Sequence, residues 1–100
     1  HFIPDTYWMQ VGGVNPAEYI KKLKDRVEVC HFKDMRIVNN TQRFAECGTG
    51  NIDLDSCYRA CKEIGVQYIV IEQDLCYDKD VFEAVEIGFK GLQKIADNNK

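Results

Sequence analysis

The sequence has no apolar run approaching the roughly 20 residues that a bilayer-spanning helix requires, and its opening residues lack the basic stretch, apolar segment and small-residue cleavage site of a secretory leader. A soluble, cytoplasmic chain with no membrane partner is therefore expected. An excess of one charge is missing too. Thirteen Lys and Arg stand against sixteen Asp and Glu, for a formal charge of −3 and a pI near 5.3. The basic residues are scattered among acids, so there is no basic stripe of the kind a nucleic acid backbone demands. Histidine is scarce, with two in 100 residues, which argues against a histidine-rich metal cluster. Five cysteines, an odd number at irregular spacing, do not form a disulfide framework. Cys57 and Cys61 fall four apart on a helical pattern, and the set reads as buried thiols.

What is present suits one small domain. Hydrophobic residues make up 45% of the chain and charged residues 29%, and there is neither a repeat array nor a low-complexity segment. Val27 to Lys33 and Val66 to Glu72 are short, β-rich and largely apolar, and with an opening strand near Phe2 to Asp5 they give three strands. Helices alternate with them. Asn15-Pro16-Ala17-Glu18 offers an N-cap, a first-turn proline and a capping-box acid for a helix running to about Lys24. A second helix after Asp53 puts Leu54, Cys57, Tyr58, Cys61 and Ile64 on one stripe and stops at Gly65. A third, after Asp80, is expected to bury Phe82, Val85, Phe89, Leu92 and Ile95. The stretch from Met35 to Asn51 carries no clear pattern and is too long for a simple strand-to-helix loop, a length often functional in compact domains; Gly48-Thr49-Gly50 within it reads as a tight turn and not a nucleotide motif.

Strands and helices in this order predict an α/β fold of three βα units, with parallel strands and helices on one face. Asp5, His31 and Glu72 then fall at the C-terminal ends of their strands, where parallel architectures place ligands. Alternation along the strands puts His31 and Lys33 on one side, with Cys30 and Phe32 on the other. Two carboxylates and an imidazole suit a divalent cation such as Mn²⁺, Mg²⁺, Co²⁺ or Zn²⁺. On spacing alone a second reading stays open, with His31 as a hydrogen-bonded core histidine and Asp5 and Glu72 as strand-end caps.

Asp5-Thr6-Tyr7-Trp8, His31-Phe32-Lys33-Asp34, Gly48-Thr49-Gly50-Asn51-Ile52-Asp53 and Val70-Ile71-Glu72-Gln73-Asp74 stand in the order found in the xylose-isomerase-like superfamily. The chain resembles its sugar-phosphate isomerases and epimerases over nearly its whole length. The resemblance implies the C-terminal part of a (β/α)8 TIM barrel, residues 1–100 forming one partial domain of a longer chain. It also implies that Asp5, His31 and Glu72 match three of four metal ligands. The first ligand, a glutamate, would lie on a strand before residue 1, so the resemblance implies weak metal binding and no epimerase turnover by these residues alone. Glu72 matches one of two acid/base carboxylates that move a proton next to a ketose carbonyl. Trp8 stands where epimerases often have histidine and could form a wall for a sugar. Lys33 and Arg36 are candidates for binding a sugar or sugar phosphate. The alternatives are a non-catalytic barrel piece and, less favoured because Trp8 replaces a histidine, an apurinic endonuclease relative. A barrel piece covered on one side leaves Ile3, Val27, Val29, Val66, Tyr68 and Val70 open, so association with a second copy or with the remainder of a barrel is expected.

Overall fold

A computed structural model describes residues 2–71 and 80–99. In chain order these form α1 (Thr6–Val11), α2 (Pro16–Leu23), β1 (Val29–Phe32), β2 (Asp34–Val38), β3 (Thr41–Ala45), α3 (Leu54–Ile64), β4 (Tyr68–Ile71) and α4 (Val81–Asn98). β1 and β4 pair in parallel with His31 opposite Val70. The opening segment joins the other edge of β1 through parallel bridges from Phe2 to Val27 and from Asp5 to His31. The domain is thus a small α/β unit. Among the described residues no helix is long and apolar enough to cross a membrane.

The helices start and stop where local chemistry dictates. Asn15 Oδ1 accepts the Glu18 N–H at 3.1 Å and Pro16 opens α2, which satisfies one amide and removes another that would lack an intrahelical partner. The Glu18 carboxylate lies 3.7 Å from Lys21 Nζ. After α2 the Arg26 guanidinium donates to the carbonyls of Leu23 and Lys22, so cationic nitrogens meet the negative end of the helix. Asp53 caps α3, accepting from the Ser56 N–H at 3.1 Å and the Ser56 hydroxyl at 2.7 Å. α3 ends at left-handed Gly65.

The core lies between the sheet and the helices. Ile20 of α2, Cys30 and Phe32 of β1, and Leu54, Cys57, Ala60 and Cys61 of α3 are buried together. Each such large side chain contributes about 1.5–3 kcal/mol through removal from water. The opposite face of the sheet is open: Ile3, Tyr68 and Val70 are exposed and Val29 is half-buried. Val27 and Val66, expected on that face, go elsewhere: Val27 is buried and Val66 packs against the core.

The stretch from Met35 to Asn51, which the sequence pattern leaves unassigned, contains most of a hairpin: β2 and β3 pair antiparallel with Met35 opposite Phe44 and Arg36 opposite Arg43. Its turn is Asn39-Asn40, both with positive φ, at 51° and 64°, the conformation that two-residue hairpins favour and that asparagine tolerates. One expectation is corrected in part. Of the stripe expected to be buried on α4, Ile95 is in the core and Leu92 packs against it, whereas Phe82, Val85 and Phe89 are exposed and Ala84 and Gly88 are buried in their place. The reason is a backbone contact: a Cβ at Gly91 would overlap the Cys47 carbonyl oxygen. The helix therefore turns its ridge of small residues toward the Cys47-Gly48 turn, and the bulky stripe faces outward.

That turn is organised by one buried side chain. Asp34 Oδ1 accepts from the N–H groups of Met35 at 2.9 Å and Ile52 at 3.0 Å, and Oδ2 from Gly48 at 3.1 Å and Gly50 at 2.9 Å. A Cβ at Gly50 would run into the Met35 carbonyl and the Asp34 carboxylate, so the wrapping is close enough to require glycine there.

The four described cysteines are free and buried. Burial first, and the nearby Asp34 carboxylate second, push the Cys47 thiol up to about 12. Burial likewise pushes Cys57 to about 12, aided by Cys61, Asp53 and Asp34. A hydrogen bond with Cys61, followed by burial, raises Cys30.

Two measurements check this construction. Asp34→Asn removes the charge that four amides share and is expected to cost about 2–4 kcal/mol, read as a fall in the urea midpoint with unchanged slope. Asp53→Ala removes a cap and is expected to cost about 1 kcal/mol at neutral pH. Hydrogen bonds from the Ser56 hydroxyl and backbone hold the Asp53 carboxyl below its ordinary 3.8. Its contribution is therefore complete above that value and is lost as pH falls through the lower folded value. The wild-type advantage over Asp53→Ala should shrink across that acidic window and stay constant above it.

Candidate functional site

The C-terminal ends of the opening segment and of β1 meet at one place. The His31 N–H donates to the Pro4 carbonyl at 2.9 Å, and Asp5 is the bridge partner of His31. The chain leaves this edge directly into α1, whose N-cap is Asp5: its Oδ1 accepts the Trp8 N–H at 3.1 Å. Asp5 and His31 are both half-buried, so each is reachable from the open side.

Lys33 lies beneath them. Its Nζ is 3.2 Å from Asp5 Oδ2, and its side chain is 2% exposed against 15% for Asp5. The ammonium also sits over the rings of Phe44, at 5.3 Å, and Trp8, at 5.7 Å. A charge this deeply enclosed needs a counter-charge and polarisable faces, and the site supplies both. The backbone is locked as well: the Thr6 hydroxyl donates to the Lys33 carbonyl at 2.6 Å and accepts the Lys33 N–H at 2.9 Å. Trp8 is 52% exposed and packs edge-on against Tyr7, with centroids 4.9 Å apart, and against Phe44 at 6.0 Å. It therefore forms an apolar wall beside the Asp5 carboxylate.

The structure brings Asp5, His31, Lys33 and Trp8 into one neighbourhood. Arg36 goes elsewhere: it donates to Thr49 Oγ1 at 3.1 Å and approaches Glu46 Oε2 at 3.9 Å, on the hairpin side. Glu72 lies outside the described residues. Among the described residues no group of three His, Cys, Asp or Glu side chains is arranged to hold a metal ion; Asp5 and His31 are neighbours through their backbone bridge.

Sequence reasoning passed over Thr6 and Phe44. Phe44 depends on the hairpin, whose sequence signal was the Asn39-Asn40 pair between β-rich stretches. Thr6 carried no local signal, because its partner is 27 residues away. The sequence matches no protein-family model and none of the curated proteins.

The ion pair at the centre of this site makes a measurable prediction. Asp5→Asn removes the carboxylate charge 3.2 Å from the buried Lys33 ammonium and should destabilise the fold by about 3 kcal/mol. Adding Lys33→Met should recover part of that loss. A double-mutant cycle on urea midpoints is expected to give a coupling of about 1–3 kcal/mol, whereas simple additivity would mean that the pair does not act as one.

Proposed function

We propose that this chain carries part of the divalent-metal site of a sugar or sugar-phosphate isomerase or epimerase, as the C-terminal portion of a (β/α)8 barrel. The observation that supports it most is the parallel bridge between Asp5 and His31. It makes an aspartate and a histidine backbone neighbours at the strand ends, where such barrels hold their chemistry. A sheet covered by helices on one face only is consistent with a barrel wall.

The donor set fits the group. Asp5 and His31 would hold a Mn²⁺, Mg²⁺, Co²⁺ or Zn²⁺ ion, with Glu72 proposed as the third ligand from its position in the sequence. When bound, such an ion polarises a ketose carbonyl and acidifies the neighbouring C–H. The role proposed for Glu72 is to take or return that proton. Trp8 offers the apolar face of a sugar ring a wall to rest on. Lys33, enclosed as it is, acts through Asp5, whose Oδ2 it holds at 3.2 Å. Arg36, partly exposed beside Thr49, is the cation available to a phosphate group approaching from the hairpin.

A structural role for Asp5 is the second reading, and one observation favours it: its two oxygens already take the Trp8 N–H and the Lys33 ammonium. Manganese binding separates the two. Titration of the chain with Mn²⁺, followed by water-proton relaxation, should show weak saturable binding. His31→Gln and Glu72→Gln, which leave the Asp5 cap intact, should each weaken it by about tenfold or more, since even outer-shell losses cost that much. Equal binding by wild type and both variants would leave Asp5 as a cap and ion-pair partner and remove the basis for the isomerase reading.

A further inference from the structure

The carboxylate on which the proposed metal site depends already holds a cation. Asp5 Oδ2 lies 3.2 Å from Lys33 Nζ, and its Oδ1 accepts the Trp8 N–H at 3.1 Å. The lysine is almost fully buried, its ammonium rests over the rings of Phe44 and Trp8, and the Thr6 hydroxyl bonds both its backbone N–H and its carbonyl. It is not a surface side chain that swings away at little cost. To leave, the ammonium must give up both the carboxylate and the ring contacts. Asp5 itself is only half-buried, so a dissolved cation can approach from the open side the carboxylate that Lys33 holds from within.

We propose that Lys33 is a built-in competitor for the divalent ion. This rests on the reading of Asp5 and His31 as part of a metal site, and it says what sets the affinity of that site. Ammonium and metal draw on the same carboxylate charge. With Lys33 in place, an incoming dication meets a carboxylate that is already compensated and a positive charge beside it. In surroundings this poorly hydrated, the repulsion is screened far less than between surface charges. Binding then either gives up the Asp5–Lys33 pair or bears the repulsion, and both lower the affinity. The competition also selects by charge: a monovalent ion offers Asp5 no more than the ammonium does, whereas a dication does. Lys33 meanwhile spares the fold an unpaired, half-buried carboxylate whenever no metal is there.

Titration with Mn²⁺, followed by water-proton relaxation, tests the proposal on neutral replacements. Lys33→Met and Lys33→Gln should each bind Mn²⁺ about tenfold or more tightly than wild type. Lys90→Met removes the same charge from the exposed pair on α4 and should leave the affinity within about twofold. Asp5→Asn added to Lys33→Met should abolish the gain. Each Lys33 variant loses a buried pair, so folding is followed alongside. Mn²⁺ should raise the urea midpoint of the variant by more than that of wild type, and a variant unfolded without the ion should regain its circular dichroism with it. Lys33 variants that bind no more tightly than wild type or stay unfolded in Mn²⁺, a gain that survives Asp5→Asn, or an equal gain in Lys90→Met would each overturn the competitor. Wild-type binding that His31→Gln weakens would still stand as evidence for the metal site in those cases. Absence of binding by wild type and every variant would overturn both.

Discussion

One buried carboxylate holds the domain's irregular half together. Asp34 draws amides from Met35, Gly48, Gly50 and Ile52, gathering both ends of an irregular stretch of chain on one carboxylate. Hydrogen bonds to a charged acceptor contribute about 1.5–3 kcal/mol each, enough together to offset the several kcal/mol that taking a carboxylate out of water costs. Everything downstream is placed by that arrangement. Ile52 leads directly to the Asp53 cap and so to α3, whose apolar stripe closes over Cys30 and Phe32. Gly48, held at its amide, lies against Gly91 and sets the rotation of α4. The strand pairing of β1 with β4 is then finished by a helix whose position was decided at a turn.

The segment His31-Phe32-Lys33-Asp34 divides its labour by alternation. Phe32 and Asp34 go to the covered side, one filling the core and the other ordering the turn, while His31 and Lys33 go toward the strand ends. Lys33 is therefore bounded by two carboxylates with different duties, Asp34 through the chain and Asp5 through space. Its enclosure between Trp8 and Phe44 sets the strand-end residues against the β2–β3 hairpin.

Much of the regular structure was legible beforehand, for local reasons. Asn15-Pro16 and Gly65 are boundary signals that act within a turn of the chain. The apolar runs around Cys30 and Ile69 needed no partner information to read as strands. Asp5 and His31 were expected at neighbouring strand ends, and they are bridge partners. The hairpin was missed because Met35 to Ala45 lacks clean alternation and its turn contains no glycine. The setting of α4 was misjudged because hydropathy favoured the larger side chains, whereas the deciding term was how closely the Cys47 backbone approaches Gly91. Nor could spacing reveal that Asp34 would serve as an acceptor for amides up to 18 residues away.

The buried thiols give the molecule a chemical memory of its own excursions. Folded, Cys30, Cys47, Cys57 and Cys61 are buried, so oxidants and alkylating reagents have little access to them. Unfolding returns them to ordinary acidity all at once, and any encounter with oxygen or a disulfide in that interval leaves a covalent mark that blocks the way back. Without a reductant, loss of the native fold is a ratchet whose steps accumulate with time spent open, and the apparent durability of the protein becomes a property of its surroundings as much as of its contacts.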